Sequence, residues 1–311
     1  MQFRTLGKTG LTVSALAYGG SSLGSVFHEV PESEGVRSVH MALDHGINFI
    51  DTAPFYGLTK AETVLGLALK EIDRERFILA TKVSRYGYKQ EDFDFSAARA
   101  IRSVEESLKR LNVDHIDVIQ VHDMEFGDLN QVVDETIPAL RKLQQQGKVR
   151  FVGITGLPFK TLNSVLARAE VDTVQSYCRY CLNDTSLADH LPALQKLNVG
   201  IVNSAPLVMR LLSNVGPPAW HPAPAALKTK CAEAAAHCAA RGADIAKLAL
   251  QFSIANPLIH TNVVGMATPS RVLANIDQTG EPLDEELLAE VLEILKPVHN
   301  MTWPSGRPEN N

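Results

Sequence analysis

The chain has 311 residues, 45% hydrophobic and 21% charged, with a formal net charge of −5 and four cysteines. It is long enough for one large globular domain or two medium ones. The numbers argue against a nucleic-acid-binding polycation and a disulfide scaffold, and no apolar stretch approaches the roughly 18 residues that suggest a membrane span. The opening Met1-Gln-Phe-Arg-Thr-Leu-Gly lacks the apolar core of a secretory signal. A reducing cytoplasm, with neither a nucleic-acid nor a membrane partner, is therefore the expected setting.

The first element reads as a hairpin. Phe3-Arg-Thr-Leu6 and Leu11-Thr-Val-Ser14 flank the glycine-bounded turn Gly7-Lys-Thr-Gly10. A strand-then-helix alternation follows almost to the end. Strands are predicted over 15–19, 48–53, 77–82, 115–122, 149–155, 173–177, 199–204 and 261–266. Between them lie amphipathic stretches such as 33–45, 96–111, 130–146 and 187–197. Ser96 suits a helix N-cap, and Gly46 and Gly147 stand where helices should end. Gly200 falls inside a predicted strand and slightly weakens it.

Eight strands, each with a following helix, predict an α/β fold: a closed (β/α)8 TIM barrel, read as a single domain over 1–311. The alternative is a doubly wound open sheet. When it binds a dinucleotide, that fold normally carries Gly-x-Gly-x-x-Gly after its first strand. Here the segment is Gly19-Gly-Ser-Ser-Leu-Gly24, which misses the pattern. Two elements are additional. A proline-rich loop, 216–224, follows the seventh strand and carries Trp220; long loops after barrel strands lie on the catalytic face, so Trp220 is a candidate pocket wall. A C-terminal helix from Leu283 leads into the tail Met301-Thr-Trp-Pro-Ser-Gly306.

Cys178 and Cys181 form a lone Cys-x-x-Cys after a strand, without a second pair or histidines at zinc-ligand spacing. Packing beneath a loop is their expected role, and no metal is predicted. Cys231 and Cys238 lie about 10 Å apart by helical rise, too far to bond.

The chemistry concentrates at the ends of three successive strands: Asp51 and nearby Tyr56, then Lys82, then His122. In a barrel these groups converge on one mouth. A tyrosine hydroxyl, with pKa ~10, is a poor base at neutral pH. A neighbouring ammonium stabilises the phenolate, and a buried carboxylate would hold that ammonium. His122 would orient the substrate oxygen. Alone, each residue also has an ordinary reading as cap, turn, solvated charge or core histidine. Together they suit proton transfer at an oxygen on carbon while a hydride moves.

Gly46-Ile-Asn-Phe-Ile-Asp-Thr-Ala-Pro-Phe-Tyr-Gly57, Ala80-Thr-Lys82 and Gln120-Val-His122 resemble the signature segments of the aldo-keto reductases. The resemblance covers almost the whole chain. It implies an Asp-Tyr-Lys-His tetrad at Asp51, Tyr56, Lys82 and His122, and an extended nicotinamide dinucleotide bound without a Rossmann fold. Thr155 could still donate to its carboxamide, although Gly156 stands where the family usually has asparagine, and Gln175 matches the family's strand-six glutamine. Ser204 replaces the common stacking aromatic. Ser204, Ala205, Leu207 and Met209 match the pyrophosphate loop, and Thr268, Arg271 and Asn275 the adenosine stretch.

Gly265 occupies the position of a lysine that grips the 2′-phosphate in many NADPH-dependent members. The resemblance thus implies NAD, with Arg271 keeping NADP open. Leu23-Gly-Ser-Val-Phe27, Gly153-Ile-Thr-Gly-Leu-Pro158, Gly216-Pro-Pro-Ala-Trp-His-Pro222 and Thr302-Trp-Pro-Ser-Gly306 resemble plant-type members that oxidise C1 of L-galactose to the lactone. L-fucose, D-arabinose or a pyridoxal-type alcohol remain alternative substrates, and a redox-sensing subunit without turnover a different class. Phe27 and Trp220 would wall the sugar, with Tyr56 and His122 at its reacting oxygen. A monomer or weak homodimer is expected.

Overall fold

The predicted hairpin is formed by β1 (Phe3–Thr5) and β2 (Thr12–Ser14), paired antiparallel with Phe3 opposite Ser14, in a computed structural model that describes residues 1–311. The predicted strands follow as β3 (Leu16–Gly19), β4 (Phe49–Asp51), β5 (Ile78–Val83), β6 (Ile116–Val121), β7 (Val149–Gly156), β8 (Thr173–Tyr177), β9 (Gly200–Ser204) and β10 (Thr261–Gly265). They run parallel, and β10 pairs with β3 to close the barrel. The strand predicted over 48–53 shortens to β4 because the chain turns away through Pro54, which has no N–H for a ladder.

The hairpin plugs one end of the barrel. Leu6, Leu11 and Val13 pack with Ala17, Phe49, Ala80, Val118, Val202 and Val263 in one apolar cluster. The Gly200 position explains itself here: a Cβ would lie 2.6 Å from Leu6 Cγ, so glycine admits the hairpin leucine. This end is closed and apolar, which leaves the C-terminal ends of the strands as the place for polar function.

Ser96 caps the helix Ala97–Leu111, its Oγ accepting from the Arg99 amide at 3.3 Å. Gly46 and Gly147 adopt φ of +87° and +76°, the left-handed conformation that ends a helix cheaply only with glycine. The helix predicted over 130–146 departs from regularity. It comprises Leu129–Gln131, a π turn over Val132–Thr136 and Ile137–Gln145. Pro138 lacks an N–H and its ring crowds the preceding turn, and the wider π register relieves both conflicts.

The segment after the helix Glu285–Leu295 crosses to the mouth of the barrel and is strapped there by Glu125. The Arg307 amide and Asn310 Nδ2 both donate to the Glu125 carbonyl at 2.9 Å, and Ser305 Oγ donates to Glu125 Oε1 at 2.9 Å. Gly306, with φ of +78°, lies directly against that carbonyl, where a Cβ would collide.

Candidate active site

Lys82, on β5, and Asp51, at the end of β4, meet at the base of the mouth. Lys82 Nζ donates to Asp51 Oδ1 at 2.8 Å, to Asp51 Oδ2 at 2.7 Å and to the Thr52 carbonyl at 2.8 Å. Both side chains are almost fully buried, 1% and 2% exposed, so the pair is little screened by solvent. Gln120 Nε2 adds a bond to Asp51 Oδ1 at 3.3 Å. Burial disfavours the Lys82 ammonium, but Asp51 and Tyr56 outweigh it and raise the lysine pKa. Lys82 is therefore a fixed positive charge.

That charge sits 5.1 Å from the centroid of the Tyr56 ring. Burial pushes the Tyr56 phenol up, Lys82 pulls it down, and Asp51 and Asp123 push it further up; the net direction is upward. The expected depression by Lys82 is thus present as an opposing influence and is outweighed by desolvation and the two carboxylates.

His122 follows β6 by one residue and meets Tyr56 edge-on, with ring centroids 5.8 Å apart. Burial drives its pKa down to about 3 against the pull of Asp123, so the imidazole is neutral. His122 Nε2 lies 3.8 Å from Asp123 Oδ2, and His122 Nδ1 is buried without a partner. A carboxylate beside Nε2 favours the tautomer with its proton there, leaving Nε2–H as the donor.

These groups open into a cavity of about 1310 Å³. That exceeds the roughly 300–1,000 Å³ typical of small-molecule pockets and leaves room for a dinucleotide and a small substrate together. Every site residue proposed from the sequence lines it. Around the tetrad lie Thr155, Gln175 and Ser204; then Ala205, Leu207 and Met209; then Gly265, Thr268, Arg271 and Asn275, with Phe27 and Trp220 at the rim. The stretch after β9 is backbone-strained, since Ala205, Val208, Met209 and Arg210 have positive φ without being glycine. Arg210 also lines the cavity.

Trp220 is 53% exposed, and its ring meets Phe27 at a centroid distance of 5.9 Å. The neighbouring His221 anchors the proline-rich loop instead: it is 2% exposed, and its Nε2 bonds the Val208 carbonyl at 3.0 Å. Sequence reasoning missed Arg85 and Asp123, the aromatics Phe55, Tyr88 and Phe126, and the tail residues Trp303–Gly306, all of which line the cavity. Asp123 had a signal in its adjacency to His122. The tail had none, because its place depends on contacts across the fold. Cys178 and Cys181 are buried free thiols in a core cluster, pushed up in pKa by that burial.

The model for the aldo/keto reductase family matches residues 15–296. The chain belongs to the aldo/keto reductase family. It is 49% identical to L-galactose dehydrogenase of Arabidopsis thaliana, over 100% of this chain and 99% of that protein. It is 28% identical to D-threo-aldose 1-dehydrogenase of a Pseudomonas species, over 91% and 94%. Among solved structures, an aldo-keto reductase from Bacillus halodurans in its holo form superposes with a TM-score of 0.79 at 28% identity, covering 98% of each chain. This aldo/keto reductase is accordingly an oxidoreductase of a family that uses nicotinamide cofactors.

The cavity has polar groups that fit such a cofactor. Gln175 Oε1 and Asn275 Nδ2, on two residues that line it, are buried polar atoms without protein partners. Asn275 belongs to the helix Pro269–Gly280, whose N-terminus, capped by Thr268, is a location that favours an anion. No helix is long and apolar enough to cross a membrane.

Proposed function

We propose that this enzyme oxidises C1 of an aldose, L-galactose foremost, to the lactone, with NAD as oxidant. The observation that carries the chemistry is the buried Lys82–Asp51 pair beside Tyr56, whose ring meets that of neutral His122 edge-on. The full-length 49% identity to an L-galactose dehydrogenase supports the sugar. When bound, NAD supplies the hydride acceptor. Tyr56 takes the proton of the anomeric hydroxyl. Lys82 stabilises the phenolate, and Asp51 fixes Lys82. His122 Nε2–H donates to the reacting oxygen and holds C1 in line. Thr155 and Gln175 would hold the carboxamide, residues 204–210 the pyrophosphate, and Thr268, Arg271 and Asn275 the adenosine end.

Cofactor choice rests on Gly265. A side chain there would strike Ser22 Oγ, so even a lysine introduced at this position would have to displace its neighbour. We therefore expect higher kcat/KM with NAD than with NADP. Arg271 is exposed beside the helix N-terminus. Arg271→Ala is expected to raise KM for NADP more than for NAD. Initial rates with both cofactors across a panel of aldoses test this reading, and a wild-type preference for NADP would refute the role given to Gly265.

Trp220 is the more exposed test of the sugar wall. Because His221 anchors the loop, Trp220→Ala should leave Tm nearly unchanged and raise KM for L-galactose several-fold, with KM for NAD little altered. A parallel rise in KM for NAD would place the indole over the cofactor; a large loss of Tm would place it in the scaffold.

A further inference from the structure

We infer that Asp123 and Arg85 read the substrate hydroxyl adjacent to the reacting carbon, the C2 hydroxyl if the substrate is an aldose oxidised at C1 as proposed above. Both residues line the cavity. Arg85 Nη1 donates to Asp123 Oδ2 at 2.5 Å, and its guanidinium lies 3.5 Å from the centroid of the Phe55 ring, with Phe93 and Phe126 at 5.3 and 5.8 Å. Stacked on three aromatics and paired to a carboxylate, the fork is held in one orientation.

Asp123 is equally fixed. It is 3% exposed, its backbone takes a left-handed φ of +48°, and its amide donates to Thr155 Oγ1 at 3.1 Å. Strained backbone of this kind tends to cluster at ligand sites.

The pair is incompletely used by the protein. Its internal bond joins Arg85 Nη1 to Asp123 Oδ2, while Asp123 Oδ1 and Arg85 Nη2 form no hydrogen bond and are not among the sealed, partnerless polar atoms. One acceptor and one donor are thus left for the cavity. A sugar hydroxyl, which both donates and accepts, matches that offer, and hydrogen bonds to charged groups are the strong ones.

The position selects which hydroxyl. Asp123 Oδ2 is 3.8 Å from His122 Nε2, the donor assigned to the reacting oxygen. Vicinal oxygens on a sugar ring lie closer together than that. With the C1 oxygen on His122, a hydroxyl on C2 is therefore within reach of the carboxylate, whereas one on C6 is not. The competing role is a brace, in which the ion pair only pins the loop carrying Arg85.

The test compares kcat/KM for L-galactose, 2-deoxy-L-galactose and 6-deoxy-L-galactose (L-fucose) in wild type and Asp123→Asn. Comparing each deoxy penalty between wild type and variant cancels the intrinsic reactivity of each sugar. In wild type, removing the C2 hydroxyl should cost roughly 10–100-fold, the worth of a hydrogen bond to a charged group. In Asp123→Asn, L-galactose should fall by a similar factor. The 2-deoxy penalty should then shrink to a few-fold, and the 6-deoxy penalty should stay as in wild type. Arg85→Lys reads the same coupling from the other partner should Asp123→Asn fail to fold. A 2-deoxy penalty that survives the substitution, or 2-deoxy and 6-deoxy penalties that shrink together, overturns the inference in favour of the brace. A wild type that oxidises L-galactose with no 2-deoxy penalty overturns it while sparing the proposed function. A wild type that oxidises none of the three sugars overturns both.

Discussion

Tyr56→Phe is expected to lower kcat for L-galactose oxidation by at least ~10², the low end of what positioned proton transfer contributes. The substitution removes one oxygen. It leaves the ring in contact with Phe55 and His122, at 6.0 and 5.8 Å between centroids, so the packing of the mouth should persist. KM for NAD and Tm should change little. Lys82, Asp51 and His122 would remain, and none of them replaces the lost base: Lys82 is held protonated by Asp51, and His122 is neutral with its proton placed to donate. Steady-state kinetics with a thermal melt check this, and near-normal turnover would reduce Tyr56 to packing.

Lys82→Met is expected to affect both stability and pH dependence. Asp51 would be left as a buried charge supported only by amide donors, Gln120 at 3.3 Å and Gln175 at 3.5 Å. Breaking one side of a buried ion pair costs about 3–5 kcal/mol, so Tm should fall by several degrees. The double substitution Asp51→Asn with Lys82→Met removes both charges and should recover much of that loss without recovering activity. The direction of the pH effect follows from Tyr56. Oxidation needs Tyr56 as the phenolate, which takes up the substrate's proton, so its rate rises with pH towards the phenol pKa. Lys82 opposes the upward push of burial and Asp51 on that group. Without Lys82 the phenol pKa climbs, and the alkaline rise of kcat should move to higher pH, with partial activity returning there. A profile of unchanged shape but reduced amplitude would give Lys82 a purely structural role.

The tetrad was legible because its residues stand at the ends of β4, β5 and β6 or just beyond, and apolar runs expose such ends in any sequence. The barrel was legible for the same reason, and because the first glycine cluster fails the dinucleotide pattern of an open sheet. What escaped reading depended on distance in the chain. Glu125 straps a tail some 180 residues later, and Phe27, after β3, meets Trp220, after β9, across the end of β10. Neither contact leaves a periodic trace. The π turn had a local cause in Pro138, but the pattern of apolar residues around it still read as one helix. The upward net shift of Tyr56 could not be read at all, since desolvation depends on how completely the mouth is walled.

The central claim is tested most directly by the product of a single reaction. Purified protein incubated with L-galactose and NAD should form NADH and the lactone in equal amounts, as followed by NADH absorbance and by mass spectrometry of the sugar, and Tyr56→Phe should slow both signals together by at least ~10². Sugar recovered unchanged, or near-normal reduction of NAD in Tyr56→Phe, would contradict the account.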